Sequence, residues 1–153
     1  MKRSILTLTI LFYFLGVHAQ FASELRTGDL LFQDLDCGPL CDAIESVTEG
    51  INGRDFSHCG ILLIENDYKF VIEAIGPGVI KTDIRQFLRR SGDSTSIRNV
   101  VAARFKSDFQ KLILPAIEEA KSLLGKGYDH VFDIENDAYY CSELLYVIFK
   151  KAN

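Results

Sequence analysis

Two apolar runs joined by Asn66-Asp67 constrain the fold of this chain more than any other feature of its sequence. Residues 57–65 and 68–75 carry aliphatic and aromatic side chains on both faces, which is typical of strands in a buried sheet. The Asn-Asp pair between them favours a two-residue hairpin turn. Such a turn sets the register of the two strands and predicts that Gly60 lies opposite Glu73.

The remaining sequence alternates short strand patterns with helical ones, and this order predicts the class of fold. Strand patterns occupy 28–33, 79–82 and 99–105, a polar loop is predicted over 91–96, and helical patterns begin at Pro39, at Asp83 and at Asp108, with a last helix over 139–151. Pro115 inside the third helical pattern indicates either a kink or a later helix start. We therefore expect one α+β domain, an antiparallel sheet packed with helices.

The first nineteen residues have the layout of a secretory signal peptide. Lys2 and Arg3 precede a largely apolar run over 5–17, and small residues end the segment before Gln20. The run is shorter than the roughly 20 apolar residues of a membrane span. The sequence predicts a cleaved leader at 1–19 and a single domain over 20–153, exported to a periplasm or secreted. An uncleaved anchor and a buried helix remain alternatives.

The charge of the chain excludes one class of partner. The formal net charge is −4, and removal of the leader, which holds two bases and no acid, makes the mature chain still more acidic. An acidic chain without a basic run is poorly suited to nucleic acid. We expect no nucleic-acid partner, and the sequence does not predict an oligomeric state.

Four cysteines lie beyond the leader, at Cys37, Cys41, Cys59 and Cys141. In an exported protein they favour disulfides, and sequence alone leaves three full pairings open. Cys37 and Cys41 are close enough to pair, unless both lie within one helix. A zinc site is disfavoured because neighbouring residues on a strand, such as His58 and Cys59, point to opposite faces. We expect no metal and no organic cofactor.

Three residues have the chemistry of a thiol-nucleophile site. The hairpin register places His58 and Glu73 on one face as diagonal neighbours, within reach of a hydrogen bond that orients the imidazole. Cys141 lies where the last helix is predicted to begin, and free backbone N–H groups and the helix dipole stabilise a thiolate there. The pattern predicts Cys141 as nucleophile, His58 as base and Glu73 as the group that orients the base. His130, in a predicted loop, is the rival base.

Each of these residues also has a purely structural interpretation. His58 is explained equally well as a hydrogen-bonded core histidine, and Glu73 as a strand-end carboxylate that points to water. Cys141 is explained as a small buried apolar residue or as a disulfide partner. The combination of the three is more specific than any member alone.

The order and spacing of several short motifs resemble a known family, the permuted papain-like amidases, the YiiX/YaeF-like branch of the NlpC superfamily. The motifs are a strand at 28–33, Ala43-Ile44 with Val47-Thr48, Ser57-His58-Cys59-Gly60-Ile61, Val71-Ile72-Glu73-Ala74, Gly127-Tyr128-Asp129, and Tyr140-Cys141-Ser142-Glu143-Leu144. The resemblance implies a circularly permuted papain-like α+β fold in which the histidine strand precedes the cysteine helix.

The resemblance carries over to individual residues. It matches Cys141 to the family nucleophile, His58 to its base, Glu73 to its orienting polar residue, and Tyr128 to a tyrosine near the site. Tyr128 and, more weakly, Ser142 are candidates for substrate positioning or for the oxyanion. Cys59 departs from the pattern, since an apolar residue is expected beside the histidine, and alternation predicts that it faces away into the core.

These observations predict an exported cysteine hydrolase of amidase or peptidase type. It would cleave an amide or acyl bond of a cell-wall peptide or a lipid-type substrate through a Cys thioester, with acyl transfer as a further possibility. The expected partners are a small peptide or lipid-like acyl substrate, with peripheral contact to a membrane or cell wall. The alternative is a non-catalytic exported binding module whose cysteines form disulfides; a redox or metal protein is a third reading.

Overall fold

The computed structural model describes residues 24–48, 50, 51, 53–91 and 100–153. The leader predicted over 1–19 and most of the polar loop predicted over 91–96 lie outside these ranges. Within them, no helix has both the length and the apolar composition needed to cross a membrane.

The described residues form seven strands and four α-helices. The strands are β1 (Leu30–Gln33), β2 (His58–Glu65), β3 (Tyr68–Ile75), β4 (Gly78–Asp83), β5 (Val100–Ala103), β6 (Gly127–Tyr128) and β7 (Ala138–Tyr139). The helices are α1 (Pro39–Glu45), α2 (Ile84–Arg89), α3 (Ile113–Ser122) and α4 (Cys141–Ala152). A 3₁₀ segment, Ser107–Leu112, leads into α3.

The hairpin of β2 and β3 forms in the predicted register. Asn66 and Asp67 both have positive φ, 50° and 66°, as a two-residue turn between twisted strands requires. Gly60 lies opposite Glu73, as predicted. The hairpin occupies the centre of a seven-stranded sheet with the order β5-β1-β2-β3-β4-β6-β7, so the halves of its strands away from the turn are largely buried on both faces.

The sheet departs at one edge from the antiparallel arrangement that we predicted. All pairs are antiparallel except β6 and β7, which run parallel through only two residue pairs. The chain between them, residues 129–137, returns to the starting end of the strand before it pairs again, and a return of this kind produces a parallel pair. The α+β class and the central antiparallel sheet are confirmed.

The two faces of the sheet pack against different helices. On one face, Ile61, Ile72 and Leu63 pack with residues of α3 and α4, among them Ile117 and Leu144. On the other face, Leu31, Leu62 and Val71 pack with Phe87 and Ile84 of α2. His58 and Glu73 therefore point to the α2 face, whereas Cys59 points to the α3–α4 face.

Two helical patterns start with residues that are not α-helical. The α-helical part of the third helical pattern begins at Ile113, so Pro115 lies in the first turn, where its missing N–H has no helical partner to lose. The last helix begins at Cys141 because Ala138 and Tyr139 join the sheet as β7. This second shift places Cys141 at the first position of α4.

One of the disulfide alternatives forms. Cys37 and Cys41 are bonded, with their Cα atoms 5.3 Å apart. Cys41 lies inside α1 but Cys37 precedes it, and Gly38 between them turns the chain with a φ of 76°. The two cysteines therefore do not lie in the same helix, and the helical geometry that would disfavour a disulfide does not apply. Cys59 and Cys141 remain free thiols.

Candidate active site

Cys141 stands at a helix end with unpaired backbone donors. It is the first residue of α4, after Tyr140, whose backbone is extended. The N–H groups of a first helical turn have no carbonyl partner within the helix, and together with the helix dipole they favour negative charge. The thiol is half-buried, and its Sγ lies 4.0 Å from the carbonyl oxygen of Ser57, just before β2. The start of α4 thus places the sulfur next to the first residues of β2, the strand that carries His58.

His58 and Glu73 are joined by a direct hydrogen bond. His58 Nε2 lies 2.6 Å from Glu73 Oε2, and since an ionised carboxylate only accepts, Nε2 carries the proton. Nδ1 is therefore the nitrogen left for the thiol. Gly60 makes this contact possible: a Cβ there would lie 2.5 Å from Val71 Cγ1 and 3.2 Å from Glu73 Cβ. The diagonal pairing inferred from the hairpin register is the observed one.

The pair is buried, and its electrostatics favour charge on both partners. His58 is 5% exposed and Glu73 is fully buried. Burial disfavours the imidazolium, but hydrogen bonds with Cys141 and Glu73 outweigh it and raise the pKa of His58. Burial likewise disfavours the carboxylate, but the hydrogen bond and charge of His58, with smaller contributions from Thr82 and Arg90, lower the pKa of Glu73. The interpretation of Glu73 as a strand-end carboxylate in water is wrong.

The Cys141 thiol has the electrostatics of a nucleophile. Its pKa is lowered to about 4 by a hydrogen bond with Cys59, against the cost of burial, and by the hydrogen bond and charge of His58. The neighbouring Cys59 thiol has its pKa raised well above the usual value, because it interacts with the Cys141 thiolate and is itself buried. Of the two thiols, Cys141 is the one that ionises, since it lies at the helix start and next to His58.

Cys59 plays a larger part in the site than its sequence position suggests. It belongs to the core cluster on the α3–α4 face, as strand alternation predicts. However, Cys141 packs against the same cluster, so the two sulfurs interact. The strand pattern alone does not predict this contact, because it depends on the helix that packs on the strand.

The two weaker candidates differ in their placement. Tyr128, in β6, is half-buried, and burial followed by the nearby Cys141 charge raises its pKa to about 12. Its phenol therefore stays protonated near neutral pH and can donate a hydrogen bond. Ser142 is exposed in the first turn of α4. The rival base His130 is exposed, and its ring contacts the Tyr128 ring at an angle of 56°, with the centroids 5.0 Å apart.

Glu73 has a second partner that the sequence motifs do not predict. While Oε2 accepts from His58, Oε1 accepts a hydrogen bond from Arg90 Nη2. Arg90 follows α2 directly, on the face of the sheet that carries His58. A single arginine at the end of a short helix gives no sequence signal, because the contact depends on how α2 packs across the sheet.

The order of these parts along the chain defines a class. Along the chain, a histidine on a central strand comes first and a buried carboxylate that orients this histidine comes second. A cysteine at the start of the last helix comes third. This is the arrangement of a papain-like cysteine hydrolase with a permuted chain, and the family model described as permuted papain-like amidase enzyme, YaeF/YiiX, C92 family, matches residues 24–153. The chain belongs to this family, which confirms the resemblance and supports a cysteine hydrolase.

Two relatives make the likeness more specific. The chain is 33% identical over 153 residues to the uncharacterized protein YiiX of Escherichia coli strain K12, a match that covers 99% of this chain and 69% of YiiX. A crystal structure of YiiX from Escherichia coli O157:H7, described there as a metalloprotein, is 30% identical with a TM-score of 0.66. This structural match covers 83% of this chain and 66% of the YiiX chain in the crystal structure. This chain therefore spans about two thirds of the length of these relatives.

Proposed function

We propose that this protein is an exported cysteine hydrolase, amidase- or peptidase-like, that cleaves an amide or acyl bond through a thioester on Cys141. The observation that carries the proposal is the buried His58–Glu73 hydrogen bond of 2.6 Å beside a thiol at a helix start. Moving a carboxylate and an imidazole out of water costs free energy, and the burial of both groups is understandable where the histidine serves as a base.

The first half of the proposed reaction forms the thioester. With the proton of Cys141 on His58, the thiolate attacks the acyl carbon and the carbonyl oxygen becomes an oxyanion. Backbone N–H groups at the start of α4 stabilise that charge, and the protonated hydroxyl of Tyr128 is a second candidate donor. His58 then gives its proton to the leaving amine or alcohol, the bond between acyl carbon and leaving group breaks, and the acyl-Cys141 thioester remains.

The second half releases the acyl group. His58, now neutral, takes a proton from water, the resulting hydroxide attacks the thioester carbon, and the carboxylic acid leaves as the Cys141 thiolate re-forms. Glu73 holds the same ring nitrogen throughout and stabilises the imidazolium in both halves. An amine or alcohol acceptor in place of water would make the same chemistry an acyl transfer.

The proposal also includes a substrate class and a location. The proposed substrate is a small peptide or a lipid-type acyl compound, met at a cell wall or at a membrane surface. The leader pattern in residues 1–19 supports export, and the Cys37–Cys41 disulfide suits an oxidising compartment.

The proposed mechanism uses no metal. The description of YiiX as a metalloprotein prompts a test of fit: among the described residues no three His, Cys, Asp or Glu side chains are grouped as metal ligands. The oxygens of Glu73 are already engaged by His58 and Arg90. These residues do not fit a metal site, and no step passes through one.

An activated ester tests the proposal without knowledge of the natural substrate. The full chain is mixed with p-nitrophenyl acetate and quenched, and peptide mass spectrometry locates the acetyl group. We expect acetyl-Cys141 in the wild type and a large loss of it in Cys141→Ala and in His58→Ala, with His130→Ala as the matched control that stays active. Acetylation that is unchanged in His58→Ala would contradict the proposal. Peptide amides and phospholipid vesicles then separate the two substrate classes.

A further inference from the structure

Arg90 places a second positive charge next to Glu73, at the carboxylate oxygen that His58 does not contact. We propose that Arg90 is a positioning residue of the site: it holds Glu73 ionised and aimed at His58, and thereby keeps the Cys141 thiolate stable at lower pH. The proposal rests on the function proposed above, because it concerns the same nucleophile. This arginine lies outside all of the sequence motifs that carry the family resemblance.

Each carboxylate oxygen of Glu73 has its own hydrogen-bond partner. Oε2 accepts from His58 Nε2 at 2.6 Å, and Oε1 accepts from Arg90 Nη2. The Glu73 side chain is fully buried, whereas the Arg90 side chain is 26% exposed. A buried carboxylate needs a positive partner to remain charged, and His58 alone supplies one only while it is protonated. Arg90 supplies a second positive charge, as a guanidinium paired with Glu73.

Arg90 is itself held in place by α2. Its backbone N–H donates to the Phe87 carbonyl oxygen at 3.2 Å, which closes the end of the helix. Its guanidinium carbon lies 5.3 Å from the centre of the Phe87 ring. The buried Phe87 ring in turn lies 6.0 Å from the His58 ring, centroid to centroid. One aromatic side chain therefore fixes both the arginine and the histidine that share Glu73.

The charges around Glu73 show what the loss of Arg90 would do. The carboxylate faces His58 from β2, Arg90 from the end of α2 and the uncharged Thr82 from β4. The Cys141 thiolate and the protonated Cys59 thiol lie beyond His58. In the reactive state one imidazolium opposes a carboxylate and a thiolate, and Arg90 makes the sum neutral. Without Arg90 the cluster carries a net negative charge, so it binds an extra proton more readily. Protonation of either the thiolate or the carboxylate then occurs at higher pH.

The rate of Cys141 alkylation by iodoacetamide against pH reports this charge balance. In Arg90→Gln we expect the acid limb of the profile to move up by about one pH unit, the order expected for loss of one close opposite charge. Arg90→Lys should restore most of the shift, since it keeps the charge. The control is Arg85→Gln, which removes an exposed arginine of the same helix that pairs only with the adjacent Asp83 among its described contacts.

Each outcome has a distinct meaning. An unmoved acid limb in Arg90→Gln, with His58→Ala and Glu73→Gln both altering it, would overturn the role of Arg90 and leave the proposed function standing. A wild type with no low-pH limb at Cys141 would overturn the proposed function itself. If Arg90→Gln does not fold, Arg90→Met keeps the packing on Phe87 and is measured in the same way. A merely structural arginine would lower the melting temperature without moving the limb.

Discussion

The reactivity of this site depends on which nitrogen of His58 carries a proton. His58 donates to Glu73 from Nε2, and this fixes the tautomer in which Nδ1 is available to the Cys141 thiol. The same assignment explains why burial does not neutralise the pair, because each partner stabilises the charge of the other. At the residue scale the site therefore behaves as one titrating unit and not as three independent groups.

Glu73→Gln tests the orienting carboxylate. The amide has the same shape but no charge, so it no longer stabilises the imidazolium. We expect kcat/KM for ester or amide cleavage to fall by about 10²–10⁴, by analogy with the loss of an orienting carboxylate in a catalytic triad. Glu65→Gln is the matched control, since Glu65 lies at the partly exposed end of the same hairpin and its ion pairs with described residues are to lysines. Equal activity in Glu73→Gln and wild type would show that the carboxylate is structural.

Cys59→Ala tests the thiol beside the nucleophile. Since the hydrogen bond with Cys59 is the largest influence on the Cys141 pKa, its loss should raise that pKa and shift the acid limb of Cys141 alkylation to higher pH. Cys59→Ser keeps a donor and should shift it less. A limb that stays in place in Cys59→Ala would mean that the helix start and His58 alone stabilise the thiolate.

The β2–β3 hairpin is the element that assembles the base. Its register was predictable because a two-residue turn between two apolar runs allows one dominant pairing. Gly60 is the position at which that register meets the site, since a Cβ there would lie 3.0 Å from the Ile72 carbonyl oxygen. The hairpin therefore has no room for a side chain beside Glu73.

Gly60→Ala should destabilise the hairpin. The added methyl group would push against Val71, and overpacking of this kind costs about 1–3 kcal/mol. Gly127→Ala is the control, because a Cβ at this strand position meets only Ala138 Cβ, at 3.9 Å. Urea unfolding of both variants measures the difference. Equal stability would show that the hairpin absorbs the extra atom without strain.

Helix boundaries were harder to predict than the hairpin. The pattern of apolar residues placed the last helix correctly but could not show that Ala138 and Tyr139 pair with β6. That pairing depends on where the 129–137 segment returns, which local sequence does not encode. The same reason explains why Arg90 and the contact between Cys59 and Cys141 were missed, because both arise where a helix packs onto a strand.

At the scale of the whole molecule, the buried pair links stability to pH. The pKa of Glu73 is lowered on folding, so its contribution is present above the model value of 4.5 and is lost as pH falls through the folded value. The pKa of His58 is raised, so its contribution is present below 6.5 and is lost as pH rises through the folded value. The pair therefore stabilises the fold most between these two values.

Thermal unfolding of wild type and Glu73→Gln across pH 4 to 8 measures this linkage. We expect the difference in melting temperature to be largest between about pH 4.5 and 6.5 and to narrow on either side. Exposed carboxylates such as Asp83 titrate in both proteins and cancel from the difference. A difference that is constant across the range would show that Glu73 contributes through packing and not through charge.

The most direct test of the central claim is the alkylation rate of each free thiol against pH in wild type and in His58→Ala. A thiolate–imidazole site predicts that Cys141 labels fast, with an apparent pKa far below the free-thiol value of about 8.5. It also predicts that Cys59 labels slowly and that His58→Ala raises the apparent pKa of Cys141. Slow labelling of Cys141 with an ordinary pKa, or a profile that His58→Ala leaves unchanged, would contradict it.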